Sequence, residues 1–215
     1  MGASSTSEAS IRVAATVAET DAEGPGRRFA LWVQGCGIRC DGCFNPQMWS
    51  TAGGRGVAVD ELLDQIESSE VEGITLLGGE PFEQAHALSV LADAVRQTGL
   101  SVMTFTGYEY EQLTRARGPH GATKLIAATD LLVTGPYLAS KPDLKRPWVG
   151  STNQEFHFLT DRYRHLADHL EELPDRVEVR VAADGGVTVN GWAAVSQLDD
   201  LLAELGTPVR RGRVR

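Results

Sequence analysis

The sequence predicts an α/β fold in which a parallel sheet is covered by helices. Short apolar runs with the character of buried strands alternate with segments whose apolar residues recur at helical spacing. Two loops rich in chemically active residues follow directly after such runs. Folds of this type place their functional residues at the carboxyl ends of the strands. We therefore expect the functional site at that edge of the sheet.

Two kinds of pattern predict the strands. Residues 11–17 alternate apolar and polar side chains, as a half-buried strand does, whereas the later runs are short and mainly apolar. Further along, alternating valines on both sides of Asp184-Gly185-Gly186 predict a β-hairpin. The predicted strands cover residues 11–17, 29–34, 74–77, 101–105, 131–133 and 156–159, and the hairpin covers residues 177–189.

Helices are predicted where apolar residues recur at i, i+3, i+4 and i+7. Glycine and proline mark where several of them end, as Gly99, Pro119 and Gly206 do. The predicted helices cover residues 59–66, 88–95, 109–117, 163–170 and 195–205, with a helical turn at 125–128. Residues 44–56 and 135–150 are predicted to be irregular.

Length and composition are those of a single globular domain over residues 1–215, with residues 1–10 and 208–215 expected as flexible tails. A net charge of -9 argues against nucleic acid as a partner, because binding phosphates requires a basic surface. No apolar run approaches the roughly 20 residues that span a membrane, and the first residues lack the apolar core of a signal peptide. We therefore expect a cytoplasmic protein without a membrane partner.

All three cysteines of the chain lie in one short loop. Cys36, Cys40 and Cys43 are spaced C-x3-C-x2-C directly after the predicted strand 29–34. Three thiolates in such a loop can hold one metal centre from one side, which for a cubane iron–sulfur cluster leaves one iron open. A redox dithiol or half of a zinc site are the alternatives for Cys40 and Cys43. No histidine within the loop offers a fourth zinc ligand.

The cysteine motif resembles that of the radical S-adenosylmethionine enzymes, and a second motif agrees with it. Gly78-Gly79-Glu80-Pro81 ends the next apolar run, at the place of the G-G-E-P segment of that superfamily. Further stretches resemble the activating proteins of anaerobic ribonucleotide reductase, and together they cover roughly residues 24–160. They include residues 24–29, 32–36, 43–46, 104–108, 130–133, 135–137 and 150–154. Thr134 and Asp41 depart from the usual family pattern.

The resemblance implies an incomplete (β/α) barrel of the radical S-adenosylmethionine type, with the C-terminal hairpin and helix appended. It also implies that Cys36, Cys40 and Cys43 each bind one iron of a [4Fe-4S] cluster. The open iron would take the amino and carboxylate groups of S-adenosylmethionine, whose methionine amino group the segment Gly78 to Pro81 would hold. Cleavage of the cofactor would then yield a 5′-deoxyadenosyl radical.

Several polar residues near the motifs have two possible roles. Thr104 and Thr106, at the end of the predicted strand 101–105, could reach the ribose or the carboxylate of the cofactor, or could be ordinary β-branched strand residues. Ser151-Thr152-Asn153-Gln154 is either a family signature or a capped loop. Trp49 is most simply explained by packing.

Three functions are compatible with these motifs. In the first, the protein generates a glycyl radical on a partner enzyme, anaerobic ribonucleotide reductase, with flavodoxin or ferredoxin as the electron donor. In the second, the same radical chemistry modifies a peptide or a small metabolite. In the third, the protein binds an iron–sulfur cluster or zinc without catalysis and has no use for Gly78 to Pro81.

Overall fold

The fold is built on a mixed seven-stranded sheet. A computed structural model describes residues 9–115 and 118–191 of the chain. Across the sheet the strands lie in the order β3-β1-β2-β4-β5-β6-β7. In chain order they are β1 (Ser10–Thr20), β2 (Arg28–Val33), β3 (Arg55–Ala58), β4 (Gly73–Gly78), β5 (Ser101–Phe105), β6 (Leu131–Thr134) and β7 (Glu155–Phe158).

The centre of the sheet is parallel, as predicted, but both edges are antiparallel. Strands β2, β4, β5 and β6 run parallel to one another. Strand β1 is antiparallel to β2 and β3, and β7 is antiparallel to β6. The prediction of a wholly parallel sheet is therefore wrong at the edges. A parallel pair usually needs a helix in the connection between its strands, and no helix lies between β1 and β2 or between β6 and β7. In the described part of the chain β3 and β7 do not pair, so the sheet is not closed into a barrel.

One face of the sheet is covered by helices. Helices α1 (Val59–Glu67) and α2 (Ala85–Gln97) bury the apolar faces that the sequence predicts, and α4 (Ala122–Ala127) packs beside α2. The short helix α3 (Tyr110–Thr114) adds Leu113 to this layer. Alternate strand residues point into the same core, because successive side chains of a strand face opposite sides. In β2 these are Phe29, Leu31 and Val33.

The other face of the sheet is covered by chain without long helices. Met103, Leu131 and Val133 pack there against Trp148 and Tyr163, which come from the segment after β6. The prediction of a helix over residues 163–170 is wrong. The segment forms two 3-10 turns, Arg164–Leu166 and Leu170–Glu172. Apolar residues at spacings of three and four fit a 3-10 repeat as well as an α-helix, so the pattern did not separate the two.

Most predicted elements are confirmed with shifted ends, and one short strand was missed. Strand β3 lies at the end of the segment that was predicted to be irregular, and only Val57 of its four residues is buried. Its pairing with β1, Ile11 opposite Val57, is a long-range contact that leaves little local signal. Within the described ranges no helix has the length and apolar composition needed to cross a membrane.

The predicted hairpin is confirmed and lies beside the loop between β1 and β2. Its arms are β8 (Val177–Val181) and β9 (Val187–Gly191). Asn190 donates hydrogen bonds to Thr20 and to the Glu23 carboxylate, at 2.9 and 3.2 Å, and burial raises the pKa of Glu23. The hairpin is thus held at the amino-terminal end of β2, away from the cysteine loop. The helix predicted over 195–205 lies outside the described residues.

A buried arginine closes the amino-terminal end of the parallel strands. Arg28 is wholly buried and donates to the hydroxyl groups of Thr75, Ser101 and Tyr163, at 3.1, 2.5 and 2.9 Å. The Tyr163 hydroxyl in turn donates to the Glu72 carboxylate at 2.6 Å. A buried charge is tolerated only when its hydrogen bonds are made, so this network sets the packing of the segment after β7.

We expect the Tyr163→Phe variant to lose about 1–3 kcal/mol of unfolding free energy, because a buried Arg28 donor loses its acceptor. Urea unfolding of the metal-free protein measures the loss. Tyr110→Phe is the matched control, since no hydrogen bond of the Tyr110 hydroxyl is found within the described ranges. It should change the unfolding free energy by less than about 0.5 kcal/mol. Equal losses in both variants would contradict the role of the Arg28 network.

Candidate functional site

The two motifs meet at the carboxyl ends of neighbouring strands. Strands β2 and β4 pair in parallel with Val33 opposite Gly78, so the cysteine loop and the Gly78–Pro81 segment leave the sheet side by side. Two backbone hydrogen bonds continue the pairing beyond the strands. The N–H of Gly79 donates to the Val33 carbonyl and that of Glu80 to the Gly35 carbonyl, both at 2.8 Å.

The glycines of the second motif are required by this close approach. Gly78 has φ 110°, and a Cβ atom there would lie 2.6 Å from the Val33 nitrogen. A Cβ atom on Gly79 would lie 2.2 Å from the Gly35 carbonyl oxygen. Real Cβ atoms do not approach backbone atoms so closely, so only glycine fits. The pair therefore has a structural role, which is to let the two motif loops touch.

The cysteine loop is shaped by its backbone and held from two sides. Arg39 and Gly42 adopt left-handed φ values of 53° and 75°, which turn the chain back on itself. The N–H of Gly37 donates to the Glu83 carboxylate at 2.6 Å, which ties the loop to the turn that follows the second motif. The buried Gln34 side chain donates to the carbonyls of Gln47 and Ser50, at 3.1 and 2.7 Å, and so fixes the segment after the cysteines.

Backbone N–H groups favour the thiolate form of each cysteine. Cys43 Sγ accepts from Asn45 at 3.4 Å. The backbone N–H groups of residues 38 and 39 act to lower the pKa of the Cys36 thiol, and that of residue 137 acts to lower the pKa of the Cys40 thiol. Burial nevertheless raises the pKa of the Cys36 and Cys40 thiols. Such thiols stay protonated until a metal binds and displaces the protons, after which the N–H groups stabilise the thiolates.

The three sulfurs and the second motif line one opening of about 150 Å³. A second opening of about 470 Å³ adjoins it and shares Cys36 and Trp49 as walls. The residues around the first are Cys36, Ile38, Cys40, Cys43, Trp49, Leu77, Gly78, Gly79, Glu80, Pro81, Phe105, Thr106, Gly107, Gly135, Tyr137 and Gln154. In the described parts of the chain no three His, Cys, Asp or Glu side chains are grouped so that they could hold a single metal ion. In an iron–sulfur cluster each thiolate instead binds its own iron.

Glu80 is the charged centre of the second motif. It is 1% exposed, and its carboxylate accepts hydrogen bonds from the N–H of Phe82, the Thr106 hydroxyl and the N–H of Gly107, at 2.9, 2.8 and 2.9 Å. Burial outweighs these bonds and raises its pKa to about 7. No basic side chain of the described residues pairs with it. A carboxylate has about four acceptor positions, so one remains for a bound cation.

The structure separates the two predicted threonines. Thr106 lies past the end of β5, borders the opening and holds Glu80 through the 2.8 Å bond. Thr104 is wholly buried, and its hydroxyl contacts that of Thr129 at 3.0 Å on the helix side of the sheet. Phe105 lines the opening instead. Since neighbouring strand residues face opposite sides, Thr104 is not part of the proposed cofactor site.

Tyr137 was not predicted as functional, whereas Gln154 belongs to the run that was either a family signature or a capped loop. Both residues line the opening, and Gln154 Oε1 accepts from the N–H groups of Gly150 and Ser151, at 2.9 and 3.1 Å. This supports the capped-loop role of residues 151–154. Within residues 9–115 and 118–191, the buried side-chain polar atoms without a partner are Trp49 Nε1 and Asn153 Oδ1. Both belong to segments that border the opening.

These observations fit an iron–sulfur group held from one side. Three sulfurs supplied with N–H donors face an opening that also contains a buried carboxylate without a counter-charge. A molecule with a positive charge next to a metal group would satisfy both features.

Comparison with known proteins agrees with this geometry. A family described as "4Fe-4S single cluster domain" matches residues 22–157, a range that holds both motifs. The anaerobic ribonucleoside-triphosphate reductase-activating protein of Enterobacteria phage T4 is 30% identical over 145 residues, which cover 64% of this chain and 88% of that protein. Its counterpart in Escherichia coli K12 is 28% identical over 145 residues, covering 63% and 91%. The resemblance inferred from the motifs is thereby confirmed.

Solved structures give a weaker likeness. The crystal structure of QueE from Escherichia coli matches with a TM-score of 0.44 and 15% sequence identity, over 60% of this chain and 61% of that chain. A likeness at this level does not establish a common fold. The strand order and the site geometry of this chain are therefore argued from its own contacts.

We expect the Gly79→Ala variant to lose about 3 kcal/mol of unfolding free energy, because its Cβ would collide with the backbone of Gly35. The two motif loops would separate, so iron bound after anaerobic reconstitution should fall as well. Gly56→Ala is the control, since a Cβ atom there meets nothing within 4 Å. If the two variants had the same unfolding free energy and the same iron content, the Gly79–Gly35 contact would not matter.

The raised pKa of Glu80 predicts a pH-dependent loss of stability in the metal-free protein. Between pH 4.5 and about 7 the folded protein holds this proton more tightly than the unfolded chain, so stability falls as pH rises. Relative to Glu80→Gln, the wild-type unfolding free energy should fall by up to about 1.4 kcal/mol per pH unit in this range. It should level off above about pH 8, one unit past the Glu80 pKa. Urea unfolding at several pH values measures the difference, and a flat difference would contradict it.

Proposed function

We propose that this chain, which belongs to the 4Fe-4S single cluster domain family, is a radical S-adenosylmethionine enzyme that activates a glycyl-radical enzyme. The observation that carries the proposal is the joint lining of one opening by Cys36, Cys40, Cys43 and Glu80. A protein that only stores or transfers electrons needs the cysteines alone. An ionised buried carboxylate without a counter-charge is costly, and a cation bound beside the cysteines would offset that cost.

The residues of the site have separate tasks in this proposal. The three cysteines hold a [4Fe-4S] cluster from one side and leave one iron for the cofactor. Glu80 accepts a charge-assisted hydrogen bond from the ammonium group of S-adenosylmethionine, and Thr106 and Gly107 keep its carboxylate in place. When bound together, cluster and cofactor supply one-electron cleavage of a carbon–sulfur bond, which gives methionine and a 5′-deoxyadenosyl radical.

Burial of the site serves the same chemistry. Glu80 and Pro81 are buried, and Phe105 lines the opening with apolar surface. Such walls keep water from a reactive species and strengthen the charge interaction at Glu80. We also propose that the seven-stranded sheet corresponds to the incomplete (β/α) barrel of this superfamily, with the opening at its carboxyl edge.

The curated relatives are named activating proteins of anaerobic ribonucleoside-triphosphate reductase. We therefore propose such a reductase as the partner on which this chain generates a glycyl radical. Binding would bring a glycine Cα–H of the partner near the 5′ carbon, and this positioning would supply much of the rate. The proposal includes flavodoxin or ferredoxin as electron donor and the cytoplasm, where thiols stay reduced, as location.

The first experiment measures cofactor cleavage. The protein is reconstituted with iron and sulfide without oxygen, reduced with dithionite and given S-adenosylmethionine. We expect 5′-deoxyadenosine by chromatography, and its loss when Cys36, Cys40 and Cys43 are replaced by alanine. Glu80→Gln should keep the cluster but bind the cofactor at least about tenfold more weakly, because the ammonium loses a charged acceptor. Glu61→Gln, an exposed carboxylate paired with Arg55, is the control and should behave as wild type.

The target is tested separately. Addition of anaerobic ribonucleotide reductase from the same organism should give a glycyl-radical signal in the electron paramagnetic resonance spectrum. If 5′-deoxyadenosine forms without that signal, the protein is still a radical enzyme, and a peptide or a small metabolite is favoured as its target. A full cluster that neither binds nor cleaves S-adenosylmethionine would overturn the proposal and leave a non-catalytic iron–sulfur protein.

A further inference from the structure

A cleft in the helix layer has a charge opposite to that of the whole chain. It lies between the start of α2, the end of α3 and the start of α4, and its volume is about 420 Å³. Four of its walls are the basic residues His86, Arg115, His120 and Lys124, and none of the walls that the structure describes is acidic. Because the chain carries a net charge of -9, composition alone does not explain a cleft without a carboxylate.

This basic cleft is separate from the cysteine site. None of its described walls is also a wall of either opening beside the cysteines. A ligand in the cleft therefore does not compete with a group bound at the cysteines.

The two histidines are held together by a close backbone contact. Gly121 has φ 88°, and a Cβ atom there would lie 2.6 Å from the His86 nitrogen, so only glycine fits against the first turn of α2. Ala122 and Leu125 anchor the start of α4 in the core. The rings of His86 and His120 lie with their centroids 5.1 Å apart, and within the described ranges neither ring has a hydrogen bond.

The positive charges of the cleft are available to a ligand. Lys124 takes part in no ion pair within residues 9–115 and 118–191. Arg115 pairs with Glu111 at 3.3 Å, but the two side chains are 67% and 83% exposed. Such an exposed pair contributes little, so Arg115 can exchange it for a better acceptor.

The donors of the cleft define the chemistry of its ligand. A guanidinium and an ammonium group each offer several N–H donors, and a neutral imidazole adds one. A carboxylate has only two oxygens for these four side chains, whereas linked phosphate groups offer more acceptors and form strong charge-assisted bonds with arginine and lysine. The volume lies within the roughly 300–1,000 Å³ of small-molecule sites.

We infer that the basic cleft binds a small molecule that carries linked phosphate groups. Arg115 and Lys124 supply the charge, and their long side chains can close on the phosphate oxygens. His86 and His120 add neutral donors that the backbone has already brought together. The inference goes beyond the proposed function and does not need the cluster. An inorganic polyphosphate and a nucleotide share this chemistry, and the experiment separates them.

The experiment measures binding to the full chain by isothermal titration calorimetry at physiological salt and without divalent cations. The probes are tripolyphosphate and adenosine triphosphate, which have the same number of phosphate groups. We expect one molecule to bind per chain. Lys124→Gln should weaken this binding at least about tenfold, because a charge-assisted bond is lost. Lys141→Gln is the matched control, since Lys141 is also exposed but lies outside the cleft, and it should bind as wild type does.

A measurement on wild type does not depend on how a variant folds. Proton–nitrogen correlation spectra of the histidine rings are recorded as tripolyphosphate is added. We expect the ring signals of His86 and His120 to shift with the calorimetric affinity. The signals of the histidines outside the cleft should not move, and these are His157, His165 and His169.

The outcomes decide for or against the inference. Equal affinity for the two probes supports a site that recognises phosphate alone, and tighter binding of adenosine triphosphate supports a nucleotide site. No saturable binding, equal weakening in Lys124→Gln and Lys141→Gln, or shifts only at the histidines outside the cleft would overturn the inference. Cleavage of S-adenosylmethionine tests the proposed function independently, so either can fail without the other.

Discussion

The parallel pairing of β2 with β4 is the constraint on which the site depends. The two strands are aligned so that Val33 lies opposite Gly78, and the pairing continues into the loops through the Gly79 and Glu80 N–H groups. A slip of one residue would turn every side chain of β4 to the other face and move Glu80 away from the cysteines. The metal motif and the carboxylate motif are therefore one structure, although 35 residues lie between Cys43 and Gly79 along the chain.

The site could be predicted to the extent that its residues lie at strand ends. Cysteine spacing and the Gly78–Pro81 segment are local patterns, and parallel neighbouring strands bring such ends together. Thr104 and Thr106 show the limit of prediction from strand ends. They are two residues apart, so the sequence gives both the same face, but β5 ends at Phe105 and only Thr106 is free to turn toward Glu80.

The fold was predicted well at its centre and poorly at its edges for a physical reason. Buried parallel strands are continuous apolar runs, and helices α1 and α2 have clear apolar faces, so local sequence identifies them. Strand β3 and the direction of β7 depend on partners far away in sequence. The turns at 164–166 and 170–172 come after Tyr163, whose hydroxyl accepts from Arg28, and that contact has no local signature.

Two buried charges distinguish the structural end of the sheet from the functional one. At the amino-terminal end, Arg28 is surrounded by hydroxyl and carbonyl acceptors of this chain, and Glu72 lies behind Tyr163. Folding itself therefore completes that site. At the carboxyl end, Glu80 has three donors but no cation, and its pKa rises to about 7. The chain supplies hydrogen-bond partners for the buried Arg28 but no counter-charge for the buried Glu80. Glu80 therefore offers a place for an external cation, next to three cysteines.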